Sequence, residues 1–330
     1  MEKVERLTVT HRTRTRLQSL PPVISEYAFW LSETKKPQTV LEYIKDIGLF
    51  VDYLEEKRKE TGDSSIVFEE LSSQDVEDFL FSFLSEHEKV YQRLNGKEVH
   101  QRFKNSEKSQ RRKLSSIRSF SRFLFIEKKL IKTDITYGIE IGKTPDKELP
   151  FLSKSLQSAL LDSMEVHSED EFQKVRNQFM ALLFIKNGIK TGELLALNLK
   201  DISMENRQVR ILREDEDPIY LSLQSIPDVI IRRYLELRGE RKILMGWHHD
   251  ALFVSMRNKR LNRRTIHYIF QRYEGFLHLK TPLTPQLLRN TFVKESVSKG
   301  GVEDELSKQL GIHDKYSMRR TYPVLKEMRK

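Results

Sequence analysis

Apolar residues recur at helical spacing through the first third of the chain. Val23, Tyr27 and Trp30-Leu31 mark one stretch, and Val40, Tyr43-Ile44, Ile47, Phe50-Val51 and Leu54 mark the next. Each predicts an amphipathic helix with one buried stripe. Ser72 ahead of Asp75-Val76-Glu77-Asp78-Phe79-Leu80 predicts a capped helix start with acids in its first turn. Residues 86–113 are polar and basic, and they lead into a stretch in which Leu114, Ile117, Phe120 and Leu124 share one face. Arg111, Arg118 and Arg122 sit on or beside the other face. Two readings stand for it: an ordinary amphipathic surface helix, or a helix whose basic face meets phosphate. The lack of neighbouring acids favours the second, with Arg111, Arg112, Lys113 and Arg118 as its contacts.

Residues 142–150 (GKTPDKELP) are rich in Gly, Pro and charge and predict an interdomain linker. Beyond it, Phe172 to Ile185 is an apolar helix, followed by a glycine turn and a second helix within Lys186–Leu197. Gln208–Leu212 and Pro218–Leu223 alternate like strands, and the acidic run Glu214–Asp217 joins them as a hairpin. Residues 226–238 return to helix, and Leu252-Phe253-Val254 is a short strand or extended run. Asn262 caps a helix whose first turn carries Arg263 and Arg264. Cations there oppose the helix dipole, and a bound phosphate supplies a reason for them. The expected fold is mainly α with a small antiparallel β-sheet. It comprises a basic N-terminal arm (1–21), a helical domain (22–141), the linker (142–150) and a second domain (151–330).

Composition narrows the partner. Lys and Arg total 58 against 48 Asp and Glu, a net charge of +10. That balance points to nucleic acid first and an anionic membrane surface second, beside the plain alternative of a soluble basic protein. The run His11 to Arg16 reads either as an arm that orders on DNA or as a solvated tail. Cysteine is absent, which excludes disulfides, thiolate zinc sites and cysteine nucleophiles and fits a reducing cytoplasm. No apolar run approaches the roughly 20 residues of a membrane helix, and the N-terminus has no apolar secretory segment. His248-His249 and His267 lack metal-ligand partners at useful spacing, and the acidic turn lacks a matching ligand set. No metal or cofactor is expected.

Four blocks in order carry a family resemblance: Gly188-Ile189-Lys190-Thr191-Gly192-Glu193-Leu194-Leu195-Ala196-Leu197; Leu252-Phe253-Val254-Ser255 with Leu261-Asn262-Arg263-Arg264-Thr265; Leu283-Thr284-Pro285-Gln286-Leu287-Leu288-Arg289-Asn290-Thr291-Phe292; and Leu310-Gly311 ahead of Tyr322. With them the chain, from about Val23 to Tyr322, resembles the tyrosine recombinase or phage integrase family. The resemblance implies a two-domain clamp: an N-terminal helical core-binding domain and a mixed α/β catalytic-type domain. It also implies a bacterial cytoplasm or nucleoid setting and double-stranded DNA as partner. The family's tyrosine hydroxyl attacks a DNA phosphate without a metal, leaving a 3′-phosphotyrosyl link. Two arginines hold the non-bridging oxygens, and a histidine and a hairpin lysine assist as proton carriers.

Carried over residue by residue, Arg289 matches the second arginine and Tyr322 the nucleophile, with a one-residue shift in spacing. Lys190 stands at the first arginine and cannot form its planar fork. Gln286 replaces the first histidine and cannot carry a proton. Where the hairpin lysine is expected, the chain reads Arg213-Glu214-Asp215-Glu216-Asp217. The family places a second histidine or a tryptophan directly after the Leu-Gly pair; here Ile312 follows that pair, and His313 comes one place late.

These departures imply a sequence-specific DNA-binding protein with a degenerate site, acting as a regulator or repressor of a phage or mobile element. Its DNA contacts would be Arg111, Arg112, Lys113, Arg118, Lys190, Arg263, Arg264 and Arg289. The alternative is an active recombinase in which Lys190, Gln286 and His313 serve beside Arg289 and Tyr322. A third reading is an accessory protein of recombinase assemblies. Homo-oligomers on DNA, and a phage- or host-encoded regulator, are the further partners expected.

Overall fold

The computed structural model describes residues 2–62, 66–85, 87–92, 98–103, 105–142, 149–214, 216–244 and 250–325. The chain divides into two compact units, Met1–Thr144 and Pro145–Lys330.

Among the described residues, the regular structure of the first unit is helical apart from one pair of strands. Helices α1 (Glu2–Leu17), α2 (Pro22–Ser32), α3 (Pro37–Thr61), α4 (Ser73–Glu77) and α5 (Glu107–Arg122) surround a core of apolar side chains. Pro22 and Pro37 open α2 and α3, where a proline's missing N–H removes nothing the helix needs. Ser72 caps α4 in a reciprocal pair with Asp75. The predicted face of α5 is the buried one: Leu114, Ile117, Phe120 and Leu124 are all in the core. Each such side chain contributes about 2 kcal/mol when fully buried. Within the expected N-terminal arm (1–21), Glu2–Leu17 is helical and packs along α3. Gly48 of α3 leaves room for the Arg16 guanidinium, which a Cβ there would approach to 3.3 Å. Strands β1 (His87–Gln92) and β2 (Glu98–Phe103) pair antiparallel, with His87 opposite Phe103. The polar 86–113 stretch carries no apolar alternation that announces this second small sheet.

The second unit is built on α7 (Glu171–Asn187), which follows α6 (Lys154–His167). α7 is buried nearly all round, from Phe172 to Ile185, as expected of a helix without a polar face. It packs against α9 (Asp228–Leu244) and α11 (Pro285–Ser298). Strands β3 (Ile202–Ser203), β4 (Gln208–Ile211) and β5 (Ile219–Ser222) form the three-stranded antiparallel sheet, with Val209 opposite Leu221. Leu252-Phe253 is a bend rather than a strand, framed by single bridges, Asn198 to Ala251 and Val254 to Arg260. The remaining helices are α8 (Thr191–Ala196), α10 (Arg263–Leu277), α12 (Glu303–Leu310) and α13 (Lys315–Thr321). A separate apolar cluster of Phe292, Val293, Leu306, Leu310, Met318, Tyr322, Val324 and Leu325 joins α11 to the C-terminal helices. Of the sequence features, most of the 142–150 linker, Asp215 of the acidic turn and His248-His249 lie outside the described residues.

Gly188 ends α7 with φ 60°, and a Cβ there would sit 2.3 Å from the Phe292 ring. Gly188→Ala is therefore expected to cost about 2 kcal/mol or more of stability, measured by urea unfolding. Adding Phe292→Leu should recover part of that loss, because the ring atoms in contact are removed.

Candidate active site

Three chain reversals converge on one point in the second unit. α7 stops at Gly188, and Lys190 then serves as the residue before α8. α11 starts from the Thr284 cap with Pro285 in its first turn. Gln286, Arg289 and Asn290 consequently share one face, three and four residues apart. α12 ends at Gly311, φ 61°, and α13 delivers Tyr322 at its end.

Arg289 is 5 % exposed, so its charge needs partners. Its Nη1 donates to the Gly188 carbonyl at 2.5 Å, its Nη2 to the Leu310 carbonyl at 2.6 Å, and its Nε to the Tyr322 hydroxyl at 3.0 Å. Two of those acceptors lie at helix C-terminal ends, where partial negative charge collects. Gln286 donates to Asn290 at 2.8 Å and, at 3.4 Å, to the Tyr322 hydroxyl. Tyr322 is 1 % exposed. Lys190, Gln286, Arg289 and Tyr322 are therefore brought together.

Beside them stand two residues absent from the expected site, Arg213 and Glu193. The Arg213 Nε donates to Glu193 Oε1 at 2.8 Å, and its two amino groups donate to the Lys308 and Gln309 carbonyls at 2.6 and 2.7 Å. The Lys190 Nζ donates to the Gly311 carbonyl at 2.8 Å and lies 3.9 Å from Glu193. Consecutive carbonyls from Lys308 to Gly311 are thus each held by a cation: Arg213 twice, Arg289, then Lys190. Glu193 also accepts from the Lys190 backbone N–H, which fixes that residue's position. Burial lowers the Lys190 pKa from its usual value, and the nearby Arg213 and Arg289 charges add to this against the opposing pull of Glu193. The one sequence signal for Arg213 is its place where the hairpin lysine is expected.

His313 does not join this group. Its ring Nε2 lies 2.9 Å from Glu216 on the hairpin turn, and its side chain is 70 % exposed. Glu216 also approaches Arg213 at 3.9 Å, so this residue of the acidic turn bears on two cationic or titratable side chains. Among the described residues, no group of three or more His, Cys, Asp or Glu side chains is placed to hold a metal ion.

The expected DNA contacts fall in two places. In the first unit, Lys113 is buried rather than facing phosphate, and it donates to Asn105 and Ser109. Arg112 forms a two-point pair with buried Asp46, both bonds 2.6 Å. Arg111 donates to the Gly142 carbonyl and Arg118 to the Ile139 carbonyl. These cations brace the helix as well as charge its surface. In the second unit Arg263 and Arg264 are exposed on the first turn of α10, which Asn262 caps. Arg264 lies over the Tyr268 ring, and Arg263 reaches toward Gly192 of α8.

Residues 151–328 match the family model described as the phage integrase family. The tyrosine recombinase XerC of Caldanaerobacter subterraneus subsp. tengcongensis is 26% identical over 310 residues, covering 92% of this chain and 82% of that protein. The tyrosine recombinase XerD of Halalkalibacterium halodurans is 28% identical over 209 residues, 63% of this chain and 68% of that protein. Among solved structures, the XerH site-specific recombinase bound to its palindromic difH substrate in a post-cleavage complex aligns with a TM-score of 0.65 at 16% identity, covering 87% of this chain and 76% of that one. A lambda integrase dimer bound to a core site aligns with a TM-score of 0.60 at 13% identity, covering 90% and 93%. These structures share the fold of this chain.

The network separates two roles by stability. Arg289→Ala strands two helix-end carbonyls and the tyrosine hydroxyl and is expected to cost on the order of 3 kcal/mol. Tyr322→Phe keeps the buried ring and loses one oxygen, at about 1 kcal/mol. Urea unfolding of both variants checks the ranking, and equal losses would contradict it.

Proposed function

Because the chain belongs to the phage integrase family, we propose that it binds duplex DNA and cleaves and rejoins strands through Tyr322, at a rate reduced by its altered proton carriers. The observation that carries this reading is the Tyr322 hydroxyl held 3.0 Å from the Arg289 guanidinium of the same chain. Attack of that oxygen on a DNA phosphate places negative charge on the non-bridging oxygens, where an arginine is most effective. The relatives named tyrosine recombinases support the same chemistry.

Several features slow it. Gln286 donates hydrogen bonds but carries no proton, Lys190 lacks a fork, and His313 is turned to Glu216. One lost transition-state donor costs roughly 10²–10³ in rate, and such losses are not additive within one unit. The exposed Arg263 and Arg264, with Arg118 of the first unit, are the proposed phosphate contacts. Assembly of copies on DNA is supported by the dimeric lambda integrase complex.

A second reading rests on Gln286 and Lys190: a regulator, such as a repressor of a mobile element, that holds DNA without cutting it. A nicked suicide duplex, selected for binding from a random pool, separates the two. The recombinase reading expects a covalent adduct on a denaturing gel that Tyr322→Phe abolishes while DNA affinity stays within about threefold. Binding with no adduct would leave the regulator. In either case Arg263→Ala should weaken binding and lower the slope of log affinity against log salt by about one, measured by fluorescence anisotropy.

A further inference from the structure

Lys190 and Arg213 each occupy a position where the family resemblance expects the other's residue type: an arginine ahead of α8, and a lysine on the β4–β5 hairpin. The structure brings these two side chains to the same point, beside Gly311. A Cβ built on Gly311 would lie 2.7 Å from the Lys190 Nζ and 2.7 Å from the Arg213 Cζ. Both bear on the same Glu193 carboxylate, Arg213 at 2.8 Å and Lys190 at 3.9 Å. Arg213 does not stray with the acidic turn that follows it: its side chain is 6 % exposed and directed at the end of α12. Arg289 holds the next carbonyl in the same row. The cluster therefore contains two guanidiniums and one amine, converging from exchanged positions.

We propose that Arg213 and Lys190 have traded duties: Arg213 is the second guanidinium of the phosphate site, and Lys190 is the proton donor to the leaving oxygen. The inference rests on the strand-cleaving reading of Tyr322. Arginine is too basic to give up a proton near neutrality, so Arg213 cannot act as the acid from the hairpin position. The Lys190 ammonium can, and burial beside two guanidiniums makes it a stronger acid than a free lysine. In the step proposed, the bond from Tyr322 Oη to phosphorus forms and the bond from phosphorus to the 5′ oxygen breaks. The electron pair leaves with that oxygen, which takes a proton from Lys190, and the phenol proton passes to water. Glu193 is a positioning residue that holds both cations.

A suicide duplex whose leaving 5′ oxygen is replaced by sulfur separates these duties, because a thiolate leaves without a proton. Adduct formation by the full chain is measured on the oxygen and sulfur duplexes. Lys190→Ala is expected to slow the oxygen reaction by roughly 10²–10⁴ and to react within about fivefold of the parent chain on the sulfur duplex. Arg213→Lys is expected to slow both by roughly 10² or more. The exchanged pair K190R with R213K should recover to within about tenfold of the parent chain on the oxygen duplex. Sulfur rescue of Arg213→Lys, or of neither variant, overturns the exchange while leaving Tyr322 as nucleophile. No adduct from the parent chain on either duplex overturns the strand-cleaving reading, and the exchange with it. Should Arg213→Lys fail to fold by circular dichroism, Lys190→Ala, whose side chain is 42 % exposed, decides the matter alone.

Discussion

The C-terminal part of the chain depends on one buried charge. Arg289 is placed by α11, yet its donors tie the end of α7, the end of α12 and the tyrosine beyond α13 into one group. A guanidinium is suited to this, because its planar fork meets several oxygens at once and stays charged when desolvated. Removing it from water is tolerable only because helix-end carbonyls replace the lost hydration. Arg213 and Lys190 extend the same arrangement along the end of α12, with Glu193 as the counter-charge between them. The site and the packing of the last helices are consequently one structure. The apolar cluster around Tyr322 and the cation row share Leu310, whose side chain lies in the first and whose carbonyl in the second.

Much of this was legible in the sequence, for physical reasons. The apolar run of α7 has no polar face, so it had to be central. Thr284 caps α11 and Pro285 opens it, and the three-residue spacing of Gln286 and Arg289 then puts them on one face. The face of α5 followed from periodicity alone. What escaped were features with no local signature. Arg213 meets the carbonyl of a residue 95 positions away, and neither a strand end nor an acidic turn announces that contact. Lys113 looked like one of several surface cations, but its burial depends on Asn105 and Ser109 lying under it. Strands β1 and β2 are too polar for an alternation pattern to stand out. The Asn95-Gly96 dipeptide between them, outside the described residues, is the turn signal that could have suggested the pairing. The charge of His11 to Arg16 masks the helix they belong to, whose Thr13 is buried.

The departures from the family's usual residues also look different in three dimensions. Taken singly, Lys190 is a lost fork and Arg213 a misplaced cation. Meeting at Gly311, they form one row of charges with Arg289 along the end of α12. Gln286 has no such counterpart: it stabilises Tyr322 by donating to it, and His313 has its own partner on the hairpin. The positive charge of the cluster is thus kept by Lys190, Arg213 and Arg289, while Gln286 brings no titratable group.

Whether that field meets a DNA phosphate can be measured as an energetic coupling between Arg289 and a single phosphate. A duplex with one neutral methylphosphonate is compared with the unmodified duplex, against the parent chain and Arg289→Ala, each confirmed folded by circular dichroism. If Arg289 contacts that phosphate, each change alone weakens binding about tenfold or more, and the two together weaken it little further than either one. Losses that simply multiply, wherever the methylphosphonate is placed, would contradict the account.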